Sequence, residues 1–100
     1  MNFDGIFTPI VTPYKEDFKI DFNNLEKILN HLIDSKVHGI IVGGTTGEYY
    51  AQSLSERIEI LKFAKKITKN KIPLVAGVGS LRTEDCVFLA KASKDLQYDA

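Results

Sequence analysis

His38-Gly39-Ile40-Ile41-Val42 runs directly into Gly43-Gly44-Thr45-Thr46-Gly47-Glu48, and this junction decides the fold. A short apolar run without polar alternation reads as a strand buried on both faces, as in a parallel sheet. The paired glycines end it. A few residues later Ser53-Leu54-Ser55-Glu56 forms a capping box, with serine followed three positions on by glutamate. It opens a helix to about Asn70, with Leu54, Ile58, Leu61, Ala64 and Ile67 on its apolar stripe. The Gly-Thr-Thr-Gly-Glu run is therefore a strand-to-helix loop. In parallel α/β architectures such loops lie at the carboxyl ends of the strands, where ligands bind.

The same unit recurs on either side. Residues 5–12 (GIFTPIVT) are apolar and β-branched, bounded by Gly5 and Pro13-Tyr14, and read as a strand in which Pro9 donates no ladder hydrogen bond. A polar loop over 15–20 leads to Asp21, which caps a helix to about Ser35 carrying Phe22, Leu25, Ile28, Leu29, Leu32 and Ile33 on one face. Residues 73–78 (PLVAGV) form a third strand, and Thr83 caps a third helix to about Leu96 that carries Cys86, Leu89, Ala90 and Leu96. Tyr98-Asp99-Ala100 stands where a fourth strand begins. Ile6, Ile40 and Leu74 are 34 residues apart, each opening one unit of strand, loop and helix. Repetition of a βα unit points to a TIM barrel or a doubly wound sheet. A barrel needs eight units and about 250 residues; this chain has three, and reads as a piece cut from a single domain.

Composition narrows the function classes. One hundred residues leave room for one domain at most, and a chain this short buries only about 60–65% of its unfolded surface. Thirteen basic residues balance thirteen acidic ones, which argues against nucleic acid or an anionic membrane as partner. One cysteine makes no internal disulfide and no zinc site alone, so a reducing, cytoplasmic setting fits. No apolar run approaches ~18 residues and no basic segment opens the chain, so neither membrane spanning nor secretion is expected.

The loop carries the chemistry. Its glycines permit positive φ and bring amide groups close to a ligand, successive amides form a concavity for an anion, and the two threonine hydroxyls add donors. The physical reading is a site for a carboxylate or a phosphate; the alternative is a glycine-rich turn that only joins two elements. The run lacks the Gly-Lys-Ser/Thr ending of a P-loop and the G-x-G-x-x-G spacing of a dinucleotide site. Tyr49 and Tyr50 are expected to pack between loop and helix, and Glu48 to hold the loop by accepting hydrogen bonds. His31 and His38, without metal-binding spacing, read as surface or satisfied histidines. Cys86 reads as a small buried hydrophobe.

On these residues the chain resembles the dihydrodipicolinate synthase / N-acetylneuraminate lyase family, the class I pyruvate-dependent aldolases and lyases built on a TIM barrel. The segments that carry it are Gly5 through Thr12-Pro13-Tyr14, the specific run Gly43-Gly44-Thr45-Thr46-Gly47-Glu48, and Pro73-Leu74-Val75-Ala76-Gly77-Val78-Gly79. The resemblance implies the first three βα units of the barrel, truncated at the start of strand four. It also implies that the hydroxyls of Thr45 and Thr46, with the backbone at Gly44 and Gly47, bind the carboxylate of pyruvate or another 2-oxo acid. Thr45 then joins a proton relay with two tyrosines elsewhere. It implies no cofactor, no metal, and homo-oligomers at full length. The pair of threonines leans towards the synthase side. The family's Schiff-base lysine and relay tyrosines fall beyond position 100. No lysine here is placed to form an imine, Lys71 standing at the amino end of its strand. Two readings follow: a segment supplying the carboxylate loop of a pyruvate-dependent lyase or synthase, or a non-catalytic remnant or small-anion binding module.

Overall fold

The computed structural model describes residues 2–100. Three strands, β1 (Phe7–Pro9), β2 (Gly39–Val42) and β3 (Leu74–Ala76), alternate with three helices, α1 (Phe22–Asp34), α2 (Leu54–Thr68) and α3 (Thr83–Asp95). A single 3-10 turn, Tyr49–Ala51, precedes α2. The strands form one parallel sheet in the order β1-β2-β3, with Thr8 opposite Ile40 and Ile40 opposite Leu74. The α/β class and the threefold strand–helix repeat read from the sequence are present.

The strands are shorter than the apolar runs that contain them. β1 keeps three residues of the eight expected over 5–12, yet its ladder continues through Ile10, whose N–H donates to Ile41 O at 3.0 Å. Residues 6, 8 and 10 face β2, so Pro9 points its missing donor away from the ladder, the position an edge strand tolerates. Ile40, Val42 and Leu74 are fully buried against the helices. The opposite face, where Phe7, Ile41 and Val75 lie, is only half-buried. Burial on both faces was the expectation; these residues cover one.

Local signals explain the helix starts. Asp21 caps α1, its Oδ1 accepting from Asn24 N at 3.0 Å, and Leu25 and Leu29 seat the helix on the core. The capping box of α2 is complete: Ser53 Oγ accepts from Glu56 N at 3.2 Å and Glu56 Oε1 from Ser53 N at 2.9 Å. Its buried face is rotated from the expected stripe, being Arg57, Ile60, Leu61, Ala64 and Thr68, with Leu54, Ile58 and Ile67 half-buried. α2 packs on α1, α3 and β2 together, and a charged residue inside the inward stripe disguised its phase. α3 also departs from expectation. Thr83 is its first residue, and the cap is Arg82, which makes no side-chain capping bond. Glu84 and Asp85 in the first turn compensate the helix dipole instead. Its buried residues are Leu89 and Ser93, whereas Ala90 is exposed and Cys86 half-buried.

The last residues pair with the outer side of β3. Asp99 N donates to Leu74 O at 2.9 Å and Ala76 N to Ala100 O at 2.8 Å, in the parallel sense. Tyr98 anchors this turn by donating to Leu61 O at 2.8 Å, and burial pushes its phenol pKa up.

A sheet with an unpaired edge at β1 and one half-open apolar face invites association. These 100 residues expressed alone are expected to elute as oligomers or aggregates in size-exclusion chromatography. A sharp monomer peak with cooperative thermal unfolding would contradict that.

Candidate functional site

The segment after β2 is held at the carboxyl ends of all three strands. Gly43 turns the chain with φ of 78°, a conformation glycine adopts without cost. Gly77, just past β3, donates from its N–H to Val42 O at 2.7 Å. A Cβ on Gly77 would collide with the Gly43 carbonyl, so only glycine lets the two strand ends approach this closely. Beyond Gly43 the loop closes through two short turns, Gly47 N donating to Gly44 O at 3.1 Å and Glu48 N to Thr45 O at 3.0 Å. Gly47 is buried and Gly44 half-buried.

Side chains from two other segments fix the far end of the loop. Thr12, 7% exposed at the end of the first strand segment, donates from Oγ1 to Gly47 O at 2.8 Å. Gln52, between the 3-10 turn and α2, donates from Nε2 to the same carbonyl at 2.9 Å and to Tyr14 OH at 2.8 Å. Thr45 and Thr46 stand between these anchors. Both are exposed, and among the described residues neither hydroxyl has an intramolecular hydrogen-bond partner. The arrangement is a rigid main-chain loop with two uncommitted hydroxyl donors.

Beside it lies a buried cation. Arg57, 5% exposed, donates from Nη1 to Gly79 O at 2.7 Å and from Nη2 to Gly77 O at 3.0 Å. Its guanidinium lies 4.7 Å from the centroid of the Tyr49 ring, and desolvation lowers its pKa, partly offset by Tyr49. An arginine remains charged in such a site, so its role is to tie the residues after β3 to α2. Tyr49 therefore packs between loop and helix as expected. Tyr50 is 68% exposed. Both tyrosines line a cleft of about 360 Å³ with Arg57, Ser80, Leu81 and Asp85, of which Thr45 and Thr46 are not walls.

Several other readings are settled by position. Glu48 does not hold the loop through its side chain: it is exposed with φ of 61°, and its backbone, not its carboxylate, makes the turn. His31 is exposed, and His38 Nδ1 accepts from Ile6 N at 2.9 Å, a satisfied histidine. Cys86 Sγ is 3.8 Å from Ser80 O. Ten of the eleven lysines are exposed; Lys65, half-buried, donates to Gln97 O at 2.7 Å. Among the described residues no group of three or more His, Cys, Asp or Glu side chains is placed to hold a metal, and no helix is long and apolar enough to cross a membrane.

Thr12, Gln52 and Arg57 were not read from the sequence as site residues. Thr12 lay within a segment noted for its resemblance, but its partner is 35 positions away. Arg57 gave no signal of its own, because Leu54, Ile58, Leu61, Ala64 and Ile67 already supply α2 with a 3/4 apolar spacing that leaves residue 57 out.

Comparison with known proteins bears on the family and the fold. The model of the Dihydrodipicolinate synthetase family matches residues 2–100. The 4-hydroxy-tetrahydrodipicolinate synthase of Ehrlichia canis is 36% identical over 96 residues, covering 96% of this chain and 32% of that protein. The N-acetylneuraminate lyase of Actinobacillus pleuropneumoniae is 40% identical over 99 residues, covering 98% of this chain and 34% of that protein. The crystal structure of dihydrodipicolinate synthase from Acinetobacter baumannii complexed with pyruvate superposes with a TM-score of 0.91 at 35% identity, over 95% of this chain and 33% of that one. The chain spans about a third of the length of the relatives it matches.

Proposed function

The chain belongs to the dihydrodipicolinate synthetase family, and on that premise we propose that it forms the first three βα units of a TIM barrel and supplies the carboxylate loop of a Schiff-base, pyruvate-dependent lyase or synthase. The observation that carries this reading is the loop itself: main chain pinned at Gly44 and Gly47, with the Thr45 and Thr46 hydroxyls uncommitted at the carboxyl ends of the strands. A carboxylate only accepts hydrogen bonds. Two hydroxyls and the neighbouring amides complement it, and bonds to a charged acceptor are about twice as strong as neutral ones.

In this reading the carboxylate of pyruvate, or of another 2-oxo acid, is held by Thr45 and Thr46 with its carbonyl carbon directed towards the barrel axis. A lysine from the rest of the barrel condenses there, forming the C=N bond with loss of water. The carboxylate contacts keep the imine in place while a proton leaves the methyl group, and the resulting enamine attacks an aldehyde. Thr45 passes a proton between two tyrosines contributed from beyond position 100, taking one on Oγ1 as it gives up its own. The reaction calls for no metal or cofactor. The complete protein acts as a homo-oligomer in the cytoplasm, and the residues that choose the aldehyde lie in later loops.

The position of the lysines favours a second statement, that these 100 residues alone are inactive. A Schiff-base lysine must be desolvated or lie near another cation; ten of the eleven here are exposed, the half-buried Lys65 donates to Gln97 O, and none lies on a strand or in the loop after β2. Pyruvate followed by sodium borohydride, read by mass spectrometry, is therefore expected to leave this chain unmodified. Its affinity for pyruvate alone is expected to be weaker than about 1 mM, or −4 kcal/mol. Joined to the remaining units, the protein traps an adduct on a lysine outside these residues, and trapping falls when Thr45 or Thr46 is changed to alanine. An adduct on this chain by itself would overturn the reading.

A further inference from the structure

Gln52 belongs to none of the residues that meet the carboxylate in the reading above, yet its side chain makes three contacts within the loop's base. Nε2 donates to Gly47 O at 2.9 Å and to Tyr14 OH at 2.8 Å, with Thr12 Oγ1 a weaker partner at 3.4 Å. Its Oε1 is buried with no hydrogen-bond partner. The orientation of the amide is fixed, because a carbonyl oxygen can only accept, and turning the amide would set Oε1 against Gly47 O. A buried amide oxygen without a partner costs stability, and an aliphatic side chain of similar shape would avoid that cost. Packing therefore does not explain a glutamine here. Its donors do.

We propose that Gln52 is a positioning residue for the carboxylate loop, acting through the Gly47 carbonyl. That carbonyl receives donors from two separate segments, Thr12 after β1 and Gln52 before α2, which together prevent the peptide between Gly47 and Glu48 from rotating. The Glu48 N–H of that peptide closes the turn onto Thr45 O. Rotation of the peptide would break this bond and displace the hydroxyls of Thr45 and Thr46. The inference rests on the proposed role of those threonines, and its test separates the two.

The test compares Gln52→Leu and Gln52→Glu in the full-length protein that carries these residues. Gln52→Leu is expected to raise KM for pyruvate about tenfold while kcat falls less than threefold, with a thermal midpoint unchanged or higher because the orphaned oxygen is gone. Gln52→Glu is expected to raise KM at neutral pH, where a carboxylate would face the Gly47 carbonyl. Relative to the parent its KM is expected to recover at acid pH, where a protonated carboxyl regains a donor. Should Gln52→Leu not fold, Thr12→Val removes the other donor and carries the same expectation for KM. An unchanged KM in the folded variants, or a fall in stability alone, would overturn the inference. If the parent forms no pyruvate adduct, the function reading fails first. Gln52 is then judged by hydrogen exchange at the Glu48 amide, which Gln52→Leu accelerates if the inference holds and leaves unchanged if it does not.

Discussion

Changing Thr45 and Thr46 together to valine is expected to lower kcat/KM for pyruvate by roughly 10²–10⁴ in the complete protein. Valine keeps the branched shape and removes only the hydroxyl. Each charge-assisted hydrogen bond lost in a desolvated site is worth about 1.5–3 kcal/mol, and each ~1.4 kcal/mol corresponds to a factor of ten. The single variants are expected to differ in kind. Thr46→Val weakens carboxylate binding and acts mainly on KM, whereas Thr45→Val also removes the proposed relay and acts on kcat. Steady-state kinetics at several pyruvate concentrations check both. Neither threonine supports the fold, since both are exposed and their hydroxyls are unpaired among the described residues, so the thermal midpoint is expected to stay where it is. A double variant retaining parental kcat/KM would remove the loop from the mechanism.

Replacing Arg57 by leucine is expected to destabilise the protein by about 2–4 kcal/mol, since two hydrogen bonds from a charged donor, worth up to about 1.5–3 kcal/mol each, are lost. The Gly77 and Gly79 carbonyls lose their guanidinium donors, and Tyr49 loses the cation on its ring. In a protein the size of its relatives this corresponds to roughly 10 °C in midpoint. Arg57→Lys is expected to recover little, because a single ammonium cannot replace two fixed donors and a planar surface. Because Gly77 packs on the Gly43 carbonyl, the damage extends to the carboxylate loop, and pyruvate KM rises with it. Thermal denaturation alongside kinetics decides this; an Arg57→Leu protein as stable as the parent would show the buried arginine to be dispensable.

The parts of this structure legible in the sequence are those fixed by neighbours in the chain. Asp21 and the Ser53–Glu56 box name their own helix starts because their partners are three residues away. The run Gly39–Val42 reads as a strand because nothing polar interrupts it. What escaped depends on distance or on a residue used against its habit. Arg57 looks like a surface residue until the carbonyls of Gly77 and Gly79 are brought to it, which is why the α2 stripe was read one step out of phase. Thr83 looks like a cap, yet the helix begins on it, its first turn supported by Glu84 and Asp85. Thr12 and Gln52 meet at Gly47 from 35 and 5 positions away, and only the fold makes them one network. The 3-10 turn at Tyr49–Ala51 is too short to carry a period. At the candidate site, Gly44, Thr45, Thr46 and Gly47 were legible as a strand-to-helix loop, while the contacts from Thr12 and Gln52 that hold it were not.

The central claim is that Thr45 and Thr46 hold the carboxylate of a 2-oxo acid, and a crystal structure of the complete protein reduced with borohydride in the presence of pyruvate tests it most directly. The account predicts carboxylate oxygens within about 2.7–3.2 Å of both threonine hydroxyls or their backbone amides, with the trapped carbon on a lysine outside these 100 residues. A trapped pyruvate whose carboxylate lies elsewhere, leaving Thr45 and Thr46 without contact, would contradict it.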